Sequence, residues 1–196
     1  MQTQINSSER TAAKAQSAEV FQIDTAHASA QFKVRHLMVS NVRGELGPVS
    51  GELALNPNDI ARSRIDVTID VRGIDTRNAD RDTHLKSPDF FDVAQYPSVT
   101  FASTRIEGRG GNEYSVTGDL TLHGVTRPVT LDVELTEAVA DPWGNVKRGA
   151  AATGKINRKD FGLNWNAAME AGGVVVGEQV DVTIELELVR KANPAS

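Results

Sequence analysis

Hydrophobic and polar residues alternate with a period of two along most of the chain from Phe21 onward. In the segment RIDVTIDVR, every second residue is Ile or Val, and Asp or Thr lies between them. This period is typical of a β-strand with one buried face, because an amphipathic helix would repeat every 3.6 residues or so. The same alternation predicts strands at 31–37, 42–55, 65–71, 99–106, 116–122, 129–135, 147–156 and 180–188.

About eight strands joined by short turns predict an all-β fold. Each strand has one apolar face, so the strands must close or stack to remove their exposed edges. Closure into an eight-stranded antiparallel barrel is the most economical arrangement, and a β-sandwich is the alternative. The segments GRGGN and LHGVT provide turns, and His123 beside Gly124 is expected to be a turn residue with left-handed dihedral angles.

The length of 196 residues fits one large β domain. We expect a flexible arm over 1–19, a barrel over 20–191 and a flexible tail over 192–196. Charged residues interrupt the first residues and no apolar run follows, so this stretch has no signal-peptide character and predicts a cytoplasmic location. A periplasmic location is the alternative if the start is processed or engineered.

The net charge of -5 and the sequence pI near 5.4 provide no basic field for nucleic acid. The chain has no cysteine, which excludes disulfides and thiolate sites, and no stretch that would span a membrane. Its four histidines fall in four different elements without the spacing of metal ligands. The sequence therefore predicts no metal site, no cofactor and no nucleic-acid partner.

The charged segment DTRNADRDTHLKSPDFF interrupts the strand pattern. We predict a short helix capped by Asp75 or Thr76, and a further turn that begins at Ser87. Phe90 and Phe91 would be unfavourable in water, since burying such a side chain contributes roughly 1.5–3 kcal/mol. The segment is therefore predicted to lie across one mouth of the barrel with its aromatic residues inward.

Some polar residues allow a catalytic interpretation beside a structural one. His36 shares a strand face with Phe32 and Val34, where it is either a hydrogen-bonded core histidine or a ligand or catalyst. Asp82 and His84 form either an acid and base pair or part of a solvated helix face. The segment INRKDFGLNWNAAMEAGG contains further aromatic residues and is either a crossover packed on the core or a second lip of the mouth.

Four segments together resemble the YceI-like family: IDTAHASAQFKVRHLMVSNVRGELG, IDTRNADRDTHLKSPDFFDVAQYPSVTF, GDLTLHGVTRPVTLDV and INRKDFGL. The resemblance covers residues 21–191. It implies a lipocalin-like barrel whose elongated interior holds a polyisoprenoid, an isoprenoid quinone or a fatty-acid derivative. It also implies a homodimer. Many members of the family are exported, and the expected signal peptide is not found in this sequence.

The resemblance implies non-catalytic binding, storage or transport of such a lipid. The alternatives are an enzyme that uses His36, His84 or Asp82 on this ligand, and a stress-related interaction module whose barrel is filled. The residues expected to line the cavity are Phe32, Val34, His36, Phe90, Phe91, Phe101, Leu120, Leu122, Phe161, Trp165 and Met169. Those expected at the rim, near the head group, are Arg77, Arg81, His84, Lys86 and Arg158.

Overall fold

The computed structural model describes residues 18–168 and 174–191, and within these ranges it contains ten β-strands and one α-helix. The strands are β1 Glu19–His36, β2 Ser40–Glu45, β3 Val49–Leu55, β4 Arg64–Asp70, β5 Ser98–Gly110, β6 Glu113–Leu122, β7 Val125–Leu135, β8 Val139–Ala140, β9 Val146–Asn157 and β10 Val176–Arg190. The helix is α1, Ala79–Lys86, and short 3-10 helices cover Ile60–Arg62, Val71–Gly73 and Arg158–Phe161. Glu19, the last residue of the expected arm, is the first residue of β1.

Eight of these strands form a closed antiparallel barrel. Their order is β1, β3, β4, β5, β6, β7, β9 and β10, and β10 pairs with β1 to complete the circle. The short strands β2 and β8 lie outside this path and pair with β1 and β9. The prediction of an eight-stranded antiparallel barrel is confirmed, and closure rules out the sandwich.

The predicted strand 42–55 is divided into β2 and β3. Between them, the amide of Leu46 donates to the carbonyl oxygen of Ala30 at 2.8 Å, so the chain stays attached to β1. Gly47 has φ +133°, and a Cβ atom there would lie 2.1 Å from the carbonyl oxygen of Asp70. The break therefore depends on a close backbone approach that requires glycine.

Antiparallel order assigns each connection to one of two barrel ends. The turn from β1 to β2, the segment with α1, the turn from β6 to β7 and the connection from β9 to β10 share what we call the α1 end. At the α1 end, the turn from β6 to β7 has the predicted left-handed residues, His123 with φ 52° and Gly124 with φ 72°. The turns from β5 to β6 and around β8 lie at the opposite end.

Helix α1 begins later than predicted. Its N-cap is Asn78 and not Asp75 or Thr76. The side chain of Asn78 accepts a hydrogen bond from the amide of Arg81 at 2.9 Å. Arg77 has φ 62°, a left-handed conformation that cannot belong to the helix. Ser87 begins a turn as expected, since its carbonyl oxygen accepts from the amide of Phe90 at 3.1 Å.

Candidate functional site

Apolar side chains from all eight barrel strands line an internal cavity of about 200 Å³. On β10 every second residue contributes, from Val180 to Leu188, which is roughly 27 Å at about 3.4 Å per residue. The polar members of the lining are Ser63, Thr100, Tyr114 and Arg158. The barrel interior is therefore a long apolar space and not a fully packed core.

The cavity persists because small residues occupy inward positions on β9. Ala150 and Ala152 line it, and Gly154 follows on the same face. A Cβ at Gly154 would lie 2.5 Å from Leu131 Cδ2, so the opposite side chain uses the space that glycine leaves. Sequence reasoning identified this strand but missed its small inward residues, although alternate Ala and Gly in GAAATG were the available signal.

Three aromatic rings pack together at the α1 end, and one of them, Phe90, lines the cavity. The ring centroids of His84 and Phe90 are 5.0 Å apart, those of His84 and Trp165 are 4.7 Å apart, and those of Phe90 and Trp165 are 5.3 Å apart. His84 also contacts Asp89, with 2.9 Å between Nε2 and Oδ2. We call His84, Phe90 and Trp165 the aromatic cap, which joins the α1 segment to the connection between β9 and β10.

The start of the α1 segment is held by a cluster of polar contacts. Asp82 Oδ1 accepts hydrogen bonds from the amide and hydroxyl of Thr76, at 2.9 and 2.5 Å. Arg81 donates to the hydroxyl and carbonyl oxygens of the same threonine, at 2.7 and 2.9 Å. Thr76 itself is buried. Asp82 and Arg81 therefore fix the loop in front of α1, and these contacts give the acid and base interpretation of Asp82 no support.

Arg158, expected at the exposed rim, is only 4% exposed and lies in the cavity wall. Its Nε donates to the carbonyl oxygen of Gly177 at 2.9 Å, and its other two nitrogens donate to the carbonyls of Leu163 and Val176. Burial lowers the pKa of Arg158, and the nearby carboxylate of Glu178 opposes this effect. The guanidinium thus ties the connection between β9 and β10 to the barrel.

The other residues predicted for the rim lie on the α1 segment. Arg77 is exposed in the loop before the helix, and Lys86 is half-buried in its last turn. His84 belongs to the aromatic cap, and Arg81 to the cluster around Thr76. Arg77, Lys86 and the partly exposed His84 therefore keep the placement that a head-group contact at the rim would require.

Seven of the residues predicted to line the cavity do so: Phe32, Val34, Phe90, Phe91, Phe101, Leu120 and Leu122. His36 does not: it is half-buried near the end of β1, where the register between β1 and β10 shifts. Phe161 is 2% exposed but packs in the core beyond the end of β9. Trp165 lies in the aromatic cap, and Met169 falls outside the described residues.

One group of three candidate metal ligands lies on the outer wall, where Asp24, His27 and Glu187 approach one another within 4.8 Å. Lys147 Nζ already lies 2.6 Å from Glu187 Oε1 and supplies a positive charge there. The hydrogen bond with His27 lowers the pKa of Asp24. We assign no metal to this exposed group, and the expected absence of a metal stays a prediction.

Fold and site together define a class: a closed antiparallel barrel with an apolar interior cavity and an aromatic cluster at one end. A family model described as YceI-like domain matches residues 21–188, and the chain belongs to this family. It is 39% identical over 171 residues to a UPF0312 protein of Vibrio cholerae, and the match covers 86% of each chain.

Two solved structures share the fold. A YCEI protein of Campylobacter jejuni has a TM-score of 0.68 and 31% identity, over 81% of this chain and 90% of that one. A domain from Saccharophagus degradans described as polyisoprenoid binding has a TM-score of 0.62 and 17% identity, over 90% and 100%. Among the described residues, no helix combines the length and apolar character needed to cross a membrane.

Proposed function

We propose that this protein binds one long-chain amphiphilic lipid in its barrel, without catalysis, and stores or carries it. The candidate ligands are a polyisoprenoid, an isoprenoid quinone and a fatty-acid derivative. The observation that carries the proposal is the apolar cavity of about 200 Å³ along the barrel interior. Membership of the YceI-like family supports it, and the structural neighbour from Saccharophagus degradans is itself described as a polyisoprenoid-binding domain.

Magnitudes favour an occupied cavity over an empty one. An apolar cavity of about 150 Å³ is already large enough to hold a benzene-sized molecule, and such cavities do not fill with water. Lost packing destabilises a protein by about 24 cal/mol per Å³, so a void of this size would correspond to on the order of 5 kcal/mol. A hydrocarbon chain inside the barrel would recover much of that.

The tail supplies most of the affinity. Each buried methylene contributes about 0.8 kcal/mol, whereas one hydrogen bond to a head group contributes about 0.5–1.5 kcal/mol. The lining is almost wholly apolar, and each nitrogen of Arg158 is already bonded to a backbone carbonyl. The head group would therefore lie outside the cavity, at the α1 end near Arg77 and Lys86.

A pair of neighbouring substitutions on β9 tests the proposal. Ala152→Phe places a large ring in the cavity, while Ala151→Phe places the same ring on the exposed outer face of the strand. Protein purified without detergent should yield a long-chain lipid by native mass spectrometry and organic extraction. The Ala152→Phe variant should lose most of that lipid, and Ala151→Phe should keep it. Wild-type protein that carries no lipid, even after incubation with one, would refute the proposal.

A further inference from the structure

The turn from β1 to β2 presents three consecutive large apolar side chains to solvent. Leu37, Met38 and Val39 are 39%, 54% and 76% exposed, and we call them the apolar tip. Exposed apolar groups of this kind mark surfaces that contact another molecule or a membrane. The apolar tip lies at the α1 end, on a hairpin that extends past the end of β4. Its second strand, β2, pairs with β1, and Glu45 at its end forms a bridge with Asp75 after β4.

The backbone of the apolar tip is also unfavourable for its residues. Leu37 has φ 49° and Met38 has φ 58°, a left-handed conformation that Asn and Gly adopt more readily. The turn from β6 to β7, at the same end, uses His123 and Gly124 for this conformation. The β1 to β2 turn therefore keeps apolar side chains where both solvent and backbone disfavour them, which points to a role beyond folding.

Positive charge flanks the apolar tip. Lys33, Arg35 and Arg43 lie on the two strands of the hairpin, and residues 33–43 include no Asp or Glu. Lys33 pairs with Asp181 at 2.7 Å, and Arg35 Nη2 donates to the carbonyl oxygen of Met38 at 2.9 Å. Arg43 is exposed and forms no ion pair within the part of the chain that the structure describes. Apolar side chains beside cations complement the surface of an anionic bilayer.

The apolar tip begins where the cavity lining ends. The amide of Leu37 donates to the carbonyl oxygen of Val175 at 2.8 Å, next to the lining residue Val176. Val34, three residues before the tip on β1, also lines the cavity. Val174, which is 37% exposed, extends the apolar surface on the neighbouring connection. A membrane in contact with the tip would therefore lie close to the α1 end of the cavity.

We propose that the apolar tip docks the α1 end of the barrel on a membrane surface that contains anionic lipids. This inference rests on the proposed function, since a long-chain lipid leaves a bilayer most readily when its acceptor's mouth touches that bilayer. The apolar side chains would enter the interface between head groups and acyl chains, while Arg43 and Arg35 would face the charged head groups.

Vesicle binding by a tip variant tests the proposal. Met38→Asn with Val39→Ser removes apolar surface and places Asn in a left-handed position that it tolerates, so thermal stability should not fall. Binding to phosphatidylcholine vesicles that contain phosphatidylglycerol, measured by flotation, should weaken on the order of tenfold or more. Arg43→Gln should weaken binding to these vesicles but leave binding to pure phosphatidylcholine unchanged.

Trp143→Ser is the matched control, because Trp143 is 81% exposed in the turn after β8, at the opposite end of the barrel. It should bind vesicles like the wild type. Equal vesicle binding by the tip variant and the wild type would overturn the proposal, as would an equal loss in Trp143→Ser. A tip variant that changes only the oligomeric state, measured by sedimentation velocity, would identify the tip as an interface between copies and would also overturn it.

Lipid loading separates this inference from the proposed function. Wild type and tip variant should retain the same amount of a long-chain lipid offered in detergent micelles. If both retain it but the wild type does not bind vesicles, only the docking proposal fails. If neither protein retains the lipid, the proposed function fails, and the docking proposal that rests on it fails with it.

Discussion

Three backbone carbonyl oxygens at the α1 end accept hydrogen bonds from a single buried side chain, the guanidinium of Arg158. Two of these carbonyls, those of Val176 and Gly177, open β10, and the third belongs to Leu163 in the connection before it. Burial lowers the pKa of Arg158, but an arginine stays charged at any working pH. A buried charge is tolerated only where hydrogen bonds compensate its desolvation, as they do here.

Replacement of Arg158 by Ala should therefore destabilise the fold by about 3 kcal/mol, because three buried carbonyls lose a charged donor. Arg158→Lys should recover only part of the loss, since one ammonium group cannot reach all three carbonyls in the geometry of a guanidinium. Urea unfolding measures both. Arg127→Ala is the control, because Arg127 is exposed and its Nε makes a single long contact of 3.5 Å with the carbonyl oxygen of Asp160. Equal stability of Arg158→Ala and Arg127→Ala would contradict this role.

At the scale of elements, β10 closes the barrel by pairing with both β9 and β1. On its outer face, Asp181 lies opposite Lys33 of β1 and Lys155 of β9. The hydrogen bond from Lys33 lowers the pKa of Asp181 below its ordinary value of 3.8, and the charges of both lysines act in the same direction. Asp181 is therefore held ionised between two cations at the line where the barrel closes.

The stability of the barrel should depend on this carboxylate at acidic pH. Because folding depresses the pKa of Asp181, its contribution is present above the ordinary value of 3.8 and is lost as the pH falls through the lower folded value. Asp181→Asn should therefore reduce the difference in unfolding midpoint between neutral and strongly acidic solution. Glu185→Gln, on the exposed face of the same strand, is the control for removing one negative charge. Thermal unfolding measured across pH tests this prediction. If the unfolding midpoint of Asp181→Asn falls at acidic pH as much as that of the wild type, Asp181 does not make this contribution.

The barrel strands could be predicted from sequence because alternation couples each residue directly to a buried or exposed face. The division between β2 and β3 could not, since it depends on the approach of Gly47 to a carbonyl oxygen of a distant residue, Asp70. The same limit applies to the site. Phe32 and Phe101 follow the alternation into the cavity. His36 has the same parity as Phe32, but it lies near the end of β1 and does not line the cavity, which alternation alone could not show. The contact of Trp165 with Phe90 joins segments far apart in sequence.

For the molecule as a whole, the cavity and the aromatic cap belong to different parts of the chain. The strands supply a fixed apolar wall, while the aromatic cap is formed by the α1 segment and the connection between β9 and β10. Under the proposed function, ligand capacity would be set by the barrel, and passage through the α1 end would be set by contacts among the three side chains of the aromatic cap. Retention and exchange should then respond to different substitutions.

Trp165→Ala separates these two properties. Each aromatic pair contributes about 0.5–1.5 kcal/mol, so loss of the contacts with His84 and Phe90 should speed lipid exchange through the α1 end roughly tenfold. Stopped-flow release of a fluorescent long-chain lipid into acceptor vesicles measures the rate, and native mass spectrometry should show that the protein still loads lipid, because Trp165 does not line the cavity. Trp143→Ala, at the opposite end, provides a control with the same loss of an indole and should exchange lipid at the wild-type rate. An equal rate in Trp165→Ala and wild type would contradict the assignment of the aromatic cap as the barrier to lipid exchange.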